Sequence, residues 1–277
     1  MGVKTALTLD QANQLFKAYD FEQIQPTADG IIDTTYIVEN STASYILKKF
    51  EEADAGQIEE ERRLLQKFAH CQVNVPQHLC SAKDWHLYTR LRGQTLSSVS
   101  YVHLQTLART LSLMHRCAHA STAKQQLFEK SKTTARLNSL KSKQYKHYRE
   151  LRHLQHCRPK IDGVIHGDLF LDNVLFSHQH IGIIDFIDAG EGSFAFDLGV
   201  SALAWALRGS TLGYLRLFLQ SYNQHAPRKI TLKELMQEIE VAAAFYTLNR
   251  IEKNSGSLAH KKALLKKTRW LKRGKTW

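Results

Sequence analysis

Two periods of hydrophobic and polar residues alternate along this chain, and each change of period marks a predicted element. Residues 8–20 repeat apolar side chains every three or four positions, which is typical of an amphipathic helix. Residues 30–39 and 43–50 are rich in β-branched and aromatic residues on either side of a short polar turn, which predicts a β-hairpin. The helical period returns over residues 59–68, and residues 85–91 predict a further strand.

Helical spacing dominates the remainder of the chain, with one exception. Residues 101–115 predict a buried helix, and residues 124–160 predict one or two helices with a lysine-rich outer face. The exception is residues 164–176 and 183–188, where short apolar runs flank carboxylates and an amide. This pattern is expected when buried strands support a loop whose polar side chains point into a site.

Length and composition are those of an ordinary globular protein. The 277 residues are enough for two lobes with separate cores, and 43% hydrophobic with 23% charged residues is typical of such proteins. The sequence shows neither a signal-peptide pattern nor an apolar run of the roughly 20 residues that a membrane span requires, so we expect a cytoplasmic location. Four widely spaced cysteines without a C-x-x-C pair predict reduced thiols and no zinc site: Cys71, Cys80, Cys117 and Cys157.

The formal net charge of +12 is concentrated in two segments. Residues 124–160 hold eleven Lys or Arg against two Glu, and residues 253–277 hold nine Lys or Arg and no acidic residue. Within the second segment, residues 258–271 predict a basic amphipathic helix. It is either docked through its apolar side with its lysines in water, or it binds an acidic membrane surface or nucleic acid, which would suit a non-catalytic binding protein. We expect the docked arrangement, and neither a nucleic-acid nor a membrane partner.

The candidate chemistry lies in the polar core of residues 164–176. Asp168 and Asn173 are five residues apart, as in the H-R-D-x-x-x-x-N loop of kinases, and Asp185 stands where a metal-binding aspartate follows in that class. In a phosphoryl transfer, Asp168 would accept the proton of the attacking hydroxyl, while Asn173 and Asp185 would provide oxygen ligands for Mg²⁺ beside the phosphates of ATP. The alternative is that Asp168 and Asn173 are turn residues between two strands. The apolar runs on both sides and the second strand end at Asp185 favour the catalytic interpretation.

The predicted sheet offers a cation for the phosphates. Lys48 ends the run Tyr-Ile-Leu-Lys and takes the place of the strand lysine that contacts the α- and β-phosphates in kinases. Glu61, on the following helix, is our choice for its ion-pair partner. Lys49 and Glu60 are the alternatives, but Lys49 should face the opposite side of the strand, and Glu60 lies about 100° around the helix from Glu61.

A glycine-rich phosphate loop is missing from the first hairpin. Gly30 is the glycine near that hairpin, so the pattern G-x-G-x-x-G is absent. Thr34 and Thr35 could supply donors to a phosphate instead, or they could be ordinary strand threonines.

A family resemblance rests on the run HGDLFLDNVLF at residues 166–176, followed by IIDF at residues 183–186. Both resemble the signature of the aminoglycoside phosphotransferase/choline kinase-like superfamily, and the first is especially similar to the bacterial homoserine kinases of that fold. The resemblance implies an α+β, two-lobe protein-kinase-like fold, with a small N-terminal antiparallel β-sheet lobe carrying one main helix and a larger, mostly helical C-terminal lobe. It also implies ATP, Mg²⁺ and a small-molecule alcohol as acceptor, and for Asp197 a structural role that braces the catalytic loop.

We therefore expect an ATP-binding lobe over residues 1–92 and a catalytic and substrate-binding lobe over residues 93–277. The expected activity is an ATP- and Mg²⁺-dependent kinase of a small-molecule hydroxyl, with homoserine favoured and choline, ethanolamine or an aminoglycoside as alternatives. Homoserine carries both a carboxylate and an ammonium, for which Arg250 and Asp188 are the candidate partners.

Overall fold

The chain forms two compact units in the computed structural model, which describes residues 3–27, 32–157, 160–178, 180–207, 212–253 and 262–273. Unit 1 comprises residues 1–95 and 174–187, and unit 2 comprises residues 96–173 and 188–277. The second short piece of unit 1 is inserted between parts of unit 2 along the chain. The functional division predicted between residues 92 and 93 stays a prediction.

Unit 1 is built on a five-stranded antiparallel sheet in the order β1-β2-β3-β5-β4. Its strands are β1 (Gln23–Pro26), β2 (Thr34–Glu39), β3 (Ser44–Lys49), β4 (His78–Ala82) and β5 (Trp85–Thr89), and its helices are α1 (Leu9–Leu15) and α2 (Ala55–His70). Alternate residues of β2, namely Thr34, Tyr36 and Val38, are buried, because successive side chains of a strand point to opposite faces. The predicted hairpin is β2–β3, and Gly30 lies outside the described residues.

Helix α2 begins where local side chains satisfy its first backbone donors. The carboxylate of Asp54 accepts from the Gln57 amide, and the Gln57 side chain accepts from the Asp54 amide. Helix α1, in contrast, ends at Leu15, although the apolar period continues to residue 20. Phe16 leaves the helical conformation and is buried, while the Asn13 side chain bonds to the backbone of Phe21, so tertiary packing ends the helix early.

Unit 2 is mostly helical, as predicted. It contains α3 (Tyr101–Ala118), α4 (Lys130–Lys143), α5 (Tyr145–Leu151), α6 (Phe194–Ser201), α7 (Leu212–Asn223), α8 (Leu232–Glu252) and α9 (Ala263–Arg273). Short strands β6 (Gly163–Ile165) and β9 (Gly190–Gly192) pair antiparallel, while the hairpin β7 (Val174–Ser177) and β8 (His180–Ile183) belongs to unit 1. The core of unit 2 includes the fully buried Leu104, Leu107 and Leu111 of α3.

The basic helix near the C-terminus is docked in unit 2. Leu264 is buried, Lys262 Nζ pairs with Glu150 Oε2 at 2.5 Å, and Lys267 Nζ donates to the Leu203 carbonyl at 3.2 Å. This arrangement favours the docked interpretation of the segment 258–271 in its described part, residues 262–271.

The structure also describes the cysteines and the helices to which two further predictions referred. Cys80 and Cys157 are free, whereas Cys71 and Cys117 are each disulfide-bonded, so the expectation of reduced thiols is wrong for these two. Of the helices that the structure describes, none has the length and apolar character needed to cross a membrane.

Candidate functional site

Lys48 of β3 is held between carboxylates in unit 1. Its Nζ lies 3.0 Å from Asp185 Oδ1 and 3.1 Å from Asp33 Oδ2, and its side chain is only 14% exposed. Burial alone would lower the pKa of Lys48, but Asp185, Glu61 and Asp33 together raise it. Lys48 is therefore a fixed positive charge at any ordinary pH.

Glu61 of α2 faces the same cluster but is held by a different donor. The Tyr88 hydroxyl donates to Glu61 Oε2 at 2.9 Å, and Glu61 acts on Lys48 electrostatically, while the ion pairs of Lys48 are with Asp33 and Asp185. Burial raises the pKa of Glu61, and the positive charge of Lys48 opposes that rise. The alternative residue, Glu60, is instead paired with Arg63 at 2.7 Å.

Asp185 follows β8 in an uncommon backbone conformation. Its φ of 67° lies in the left-handed region, where Asp is one of the better-tolerated residues other than glycine. The next residue, Phe186, is buried, and its ring lies 5.3 Å from that of Phe68. Packing of Phe186 thus helps to fix the turn that points the Asp185 carboxylate at Lys48.

Asp168 and Asn173 meet in unit 2. Asn173 Nδ2 donates to the Asp168 carbonyl at 2.7 Å and to Asp168 Oδ2 at 3.0 Å. Asn173 is buried in the 3₁₀ turn Leu171–Asn173, and Asp168 is partly exposed. Because the amide nitrogen of Asn173 serves Asp168, the amide oxygen is the atom left to act as a metal ligand.

The backbone that carries Asp168 is braced by a buried carboxylate. Asp197 Oδ2 accepts from the His166 amide at 3.1 Å, and Asp197 Oδ1 accepts from the Gly167 amide at 2.8 Å. His115 Nε2 lies 3.1 Å from Asp197 Oδ2. Burial would raise the pKa of Asp197, but the His115 contact and the backbone donors lower it overall. Asp197 therefore remains an anion that orders the loop.

Other side chains of unit 2 surround the same loop. The Trp205 indole donates to the Leu169 carbonyl at 3.1 Å, and the Tyr246 hydroxyl donates to the Gly167 carbonyl. Burial lowers the pKa of Arg250, while the charges of Asp168 and Asp172 oppose that shift. Sequence reasoning named Arg250 but missed the contact residues Asp33, Tyr88, Trp205 and Tyr246, since none of them belongs to a linear motif.

The available donors suit a hard divalent cation. Each unit, taken by itself, carries an oxygen of the type that Mg²⁺ prefers: the Asp185 carboxylate of unit 1, which is 41% exposed, and the amide oxygen of Asn173 in unit 2. Among the residues that the structure describes, no group of three or more His, Cys, Asp or Glu side chains forms a metal cage.

The known proteins that this chain resembles in sequence or in fold include several kinases. The homoserine kinase of Methylobacillus glycogenes is 26% identical over 302 residues, which cover 95% of this chain and 92% of that protein. The solved structure of amicoumacin kinase hAmiN in complex with AMP-PNP, Ca²⁺ and Ami has a TM-score of 0.65 at 18% identity and covers 96% of this chain and 94% of that one. A microcompartment-associated aminopropanol kinase has a TM-score of 0.63 at 17% identity, covering 94% of each chain.

The structural similarities confirm the predicted kinase-like fold, with an antiparallel N-terminal sheet and a larger helical lobe. The family model described as "Phosphotransferase enzyme family" matches residues 23–230, a range that contains Lys48, Asp168, Asn173 and Asp185. Because this match spans more than half of the sequence, the chain belongs to the phosphotransferase enzyme family.

Proposed function

We propose that this protein transfers the γ-phosphate of ATP to the hydroxyl of a small molecule, most favourably homoserine, with Mg²⁺ as the metal. The observation that carries the proposal is the double hydrogen bond from Asn173 Nδ2 to Asp168. It holds a partly exposed carboxylate in a fixed rotamer and leaves an amide oxygen for a metal.

Asp168 would accept the proton of the acceptor hydroxyl as that oxygen attacks phosphorus. The reaction needs few side chains, since phosphoryl transfer depends mainly on positioning and on charge stabilisation. Lys48 would contact the phosphates as a point charge, and the pKa raised by its carboxylate neighbours keeps it protonated. Glu61 and Asp33 would keep Lys48 in place.

Asn173 and Asp185 would hold Mg²⁺ through their oxygens. The bound ion would neutralise part of the charge on the ATP phosphates. Support for a nucleotide and a divalent cation comes from hAmiN, which was solved with AMP-PNP and Ca²⁺.

Homoserine is the favoured acceptor because the homoserine kinase of Methylobacillus glycogenes matches over most of this chain. Within unit 2, Arg250 lies close enough to Asp168 and Asp172 for their charges to act on it, so its guanidinium is near the proposed base. Arg250 would pair with the carboxylate of the acceptor, and Asp188, which acts electrostatically on Tyr246, would pair with its ammonium. A different amino alcohol is the second candidate, since aminopropanol kinase shares the fold.

A panel assay of ADP release tests the proposal. Homoserine, 3-aminopropanol, ethanolamine, choline and an aminoglycoside are each supplied with ATP, with Mg²⁺ and then with EDTA in excess. We expect turnover with homoserine that EDTA abolishes and Mg²⁺ restores. The substitution Asp168→Asn should lower kcat by about 10²–10⁴-fold, because the proton acceptor is lost. Asp84→Asn, an exposed change in the β4–β5 turn, is the matched control and should leave kcat unchanged.

Two results would contradict the proposal. If Asp168→Asn turned over every acceptor as fast as the parent protein, Asp168 would not be the base. If homoserine gave no ADP above background while another alcohol did, the acceptor would have to be reassigned and the catalytic roles would stand.

A further inference from the structure

The peptide group between Gly167 and Asp168 is held at both of its polar atoms. Its carbonyl oxygen accepts the hydroxyl proton of Tyr246, which lies on α8. Its amide, the Asp168 N–H, donates to His166 Nδ1 at 3.2 Å. The orientation of this peptide sets the direction in which the Asp168 side chain leaves the backbone.

Gly167 makes this peptide easier to reorient than others in the loop. Its φ is +80°, in the left-handed region, and a Cβ there would lie 2.4 Å from Leu127 Cδ2. Glycine is therefore required at residue 167, and glycine also has more than one accessible backbone conformation. A contact outside the loop is needed to select one of them.

The contacts of Asp197 do not make that selection. Asp197 binds the amides of His166 and Gly167, which lie before the peptide in question, and these bonds leave the Gly167 carbonyl unrestrained. In the part of the chain that the structure describes, the hydrogen-bond donor to the Gly167 carbonyl is Tyr246.

Tyr246 is itself held rigidly. Its ring packs edge-on against Phe170, with centroids 5.0 Å apart and an interplanar angle of 80°, and against Phe245 at 5.4 Å and 83°. Phe170 lies two residues after Asp168, so the ring and the hydroxyl of Tyr246 contact the catalytic loop on either side of Asp168. Burial, with the negative charges of Asp168, Asp188 and Asp197, raises the pKa of Tyr246, so the hydroxyl keeps its proton as a donor.

We propose that Tyr246 is a positioning residue, whose hydroxyl selects the orientation of the Gly167–Asp168 peptide that presents the Asp168 carboxylate for proton transfer. The inference rests on the proposed function, in which Asp168 is the base. The Tyr246 hydroxyl also makes a hydrogen bond to the Asp168 side chain, but it is not placed against the acceptor or the phosphate, and its proposed action runs through the backbone of Gly167.

The test replaces the hydroxyl while keeping the ring. Tyr246→Phe should lower kcat with homoserine about 10- to 100-fold, the effect of losing one partly buried hydrogen bond on the reactive geometry. The KM for ATP should stay within about twofold of the parent value. The rate of hydrogen exchange at the backbone amide of Asp168, measured by NMR, should rise about tenfold, because the peptide can then turn away from His166. Tyr148→Phe removes a hydroxyl from α5 and should change none of these quantities.

The readouts separate this inference from the proposed function. If Tyr246→Phe keeps the kcat of the parent protein while Asp168→Asn is inactive, the role of Tyr246 is overturned and the role of Asp168 remains intact. A fall in kcat with unchanged exchange at Asp168 would also overturn the positioning role, because the peptide would not have moved. Thermal unfolding of each variant identifies any loss of the folded state. If Tyr246→Phe is less stable, the rate of amide exchange at Asp168 in the folded fraction still shows whether the Gly167–Asp168 peptide has become more mobile.

Discussion

Lys48 Nζ and Asp185 Oδ1 lie 3.0 Å apart in the folded protein, although 137 residues separate them along the chain. Lys48 belongs to the sheet of unit 1, and Asp185 belongs to the short inserted piece that completes the same unit. The fold thus brings the predicted phosphate-binding cation to the predicted metal-binding carboxylate. Asp33 is the second carboxylate on Lys48, at 3.1 Å.

Replacing Lys48 by an uncharged side chain should affect both stability and activity. Lys48→Met leaves the carboxylates of Asp33, Glu61 and Asp185 without their shared cation, so the free energy of unfolding should fall by about 3 kcal/mol, the size seen when one partner of a buried pair is removed. The value of kcat/KM for ATP should fall at least about 100-fold. Urea denaturation and steady-state kinetics measure the two effects. Lys49→Met changes the neighbour that points to the opposite face of β3, and it should cost less than about 1 kcal/mol.

Equal losses of stability in Lys48→Met and Lys49→Met would show that the carboxylate cluster does not depend on Lys48.

Replacing Arg250 should discriminate between acceptors. With Arg250→Gln, we expect the KM for homoserine to rise at least about tenfold, because the carboxylate loses a charged partner, whereas the KM for 3-aminopropanol, which has no carboxylate, should change less than about twofold. Arg152→Gln, at an exposed position of the same unit, serves as the control. Parallel rises in KM for both acceptors would mean that Arg250 supports the loop instead of the acceptor carboxylate.

Acid should destabilise the protein through His78. Burial first, then the charges of Arg62 and His86, lowers the pKa of His78 to about 4. The unfolded chain, with an ordinary histidine pKa near 6.5, binds the proton more readily than the folded one over the interval from about pH 6.5 to about pH 4. The free energy of unfolding should therefore fall as the pH drops through this interval, by about 1 kcal/mol for a partly exposed histidine.

Urea denaturation at pH 7.5, 6.0 and 5.0 measures this slope. His78→Gln should flatten it without abolishing it, since the pKa of His86 is also lowered, mainly by burial. An identical slope in His78→Gln would show that other groups control the acid sensitivity.

Local sequence information was sufficient for much of the architecture. Runs of β-branched and aromatic residues predicted the hairpin β2–β3 and the strand β5, and the helical period predicted helices α2 and α3. Each of these patterns is complete within a short segment of the chain. It missed β1 and β4 and overextended α1. β1 and β4 are the edge strands of the sheet, so their pairing depends on partners elsewhere in the chain.

By itself, the sequence identified Asp168 and Asn173 as a pair on one loop, because their spacing matches that of the kinase motif H-R-D-x-x-x-x-N. It also identified Lys48 and Asp185 as candidates, since Lys48 lies in the predicted strand β3 and Asp185 follows the end of β8. Only the tertiary structure decided that Asp33 shares Lys48, that Tyr88 holds Glu61 and that Tyr246 contacts Gly167. These contacts join residues far apart in the chain, and no periodic pattern records which distant side chains will meet once the hydrophobic surfaces pack.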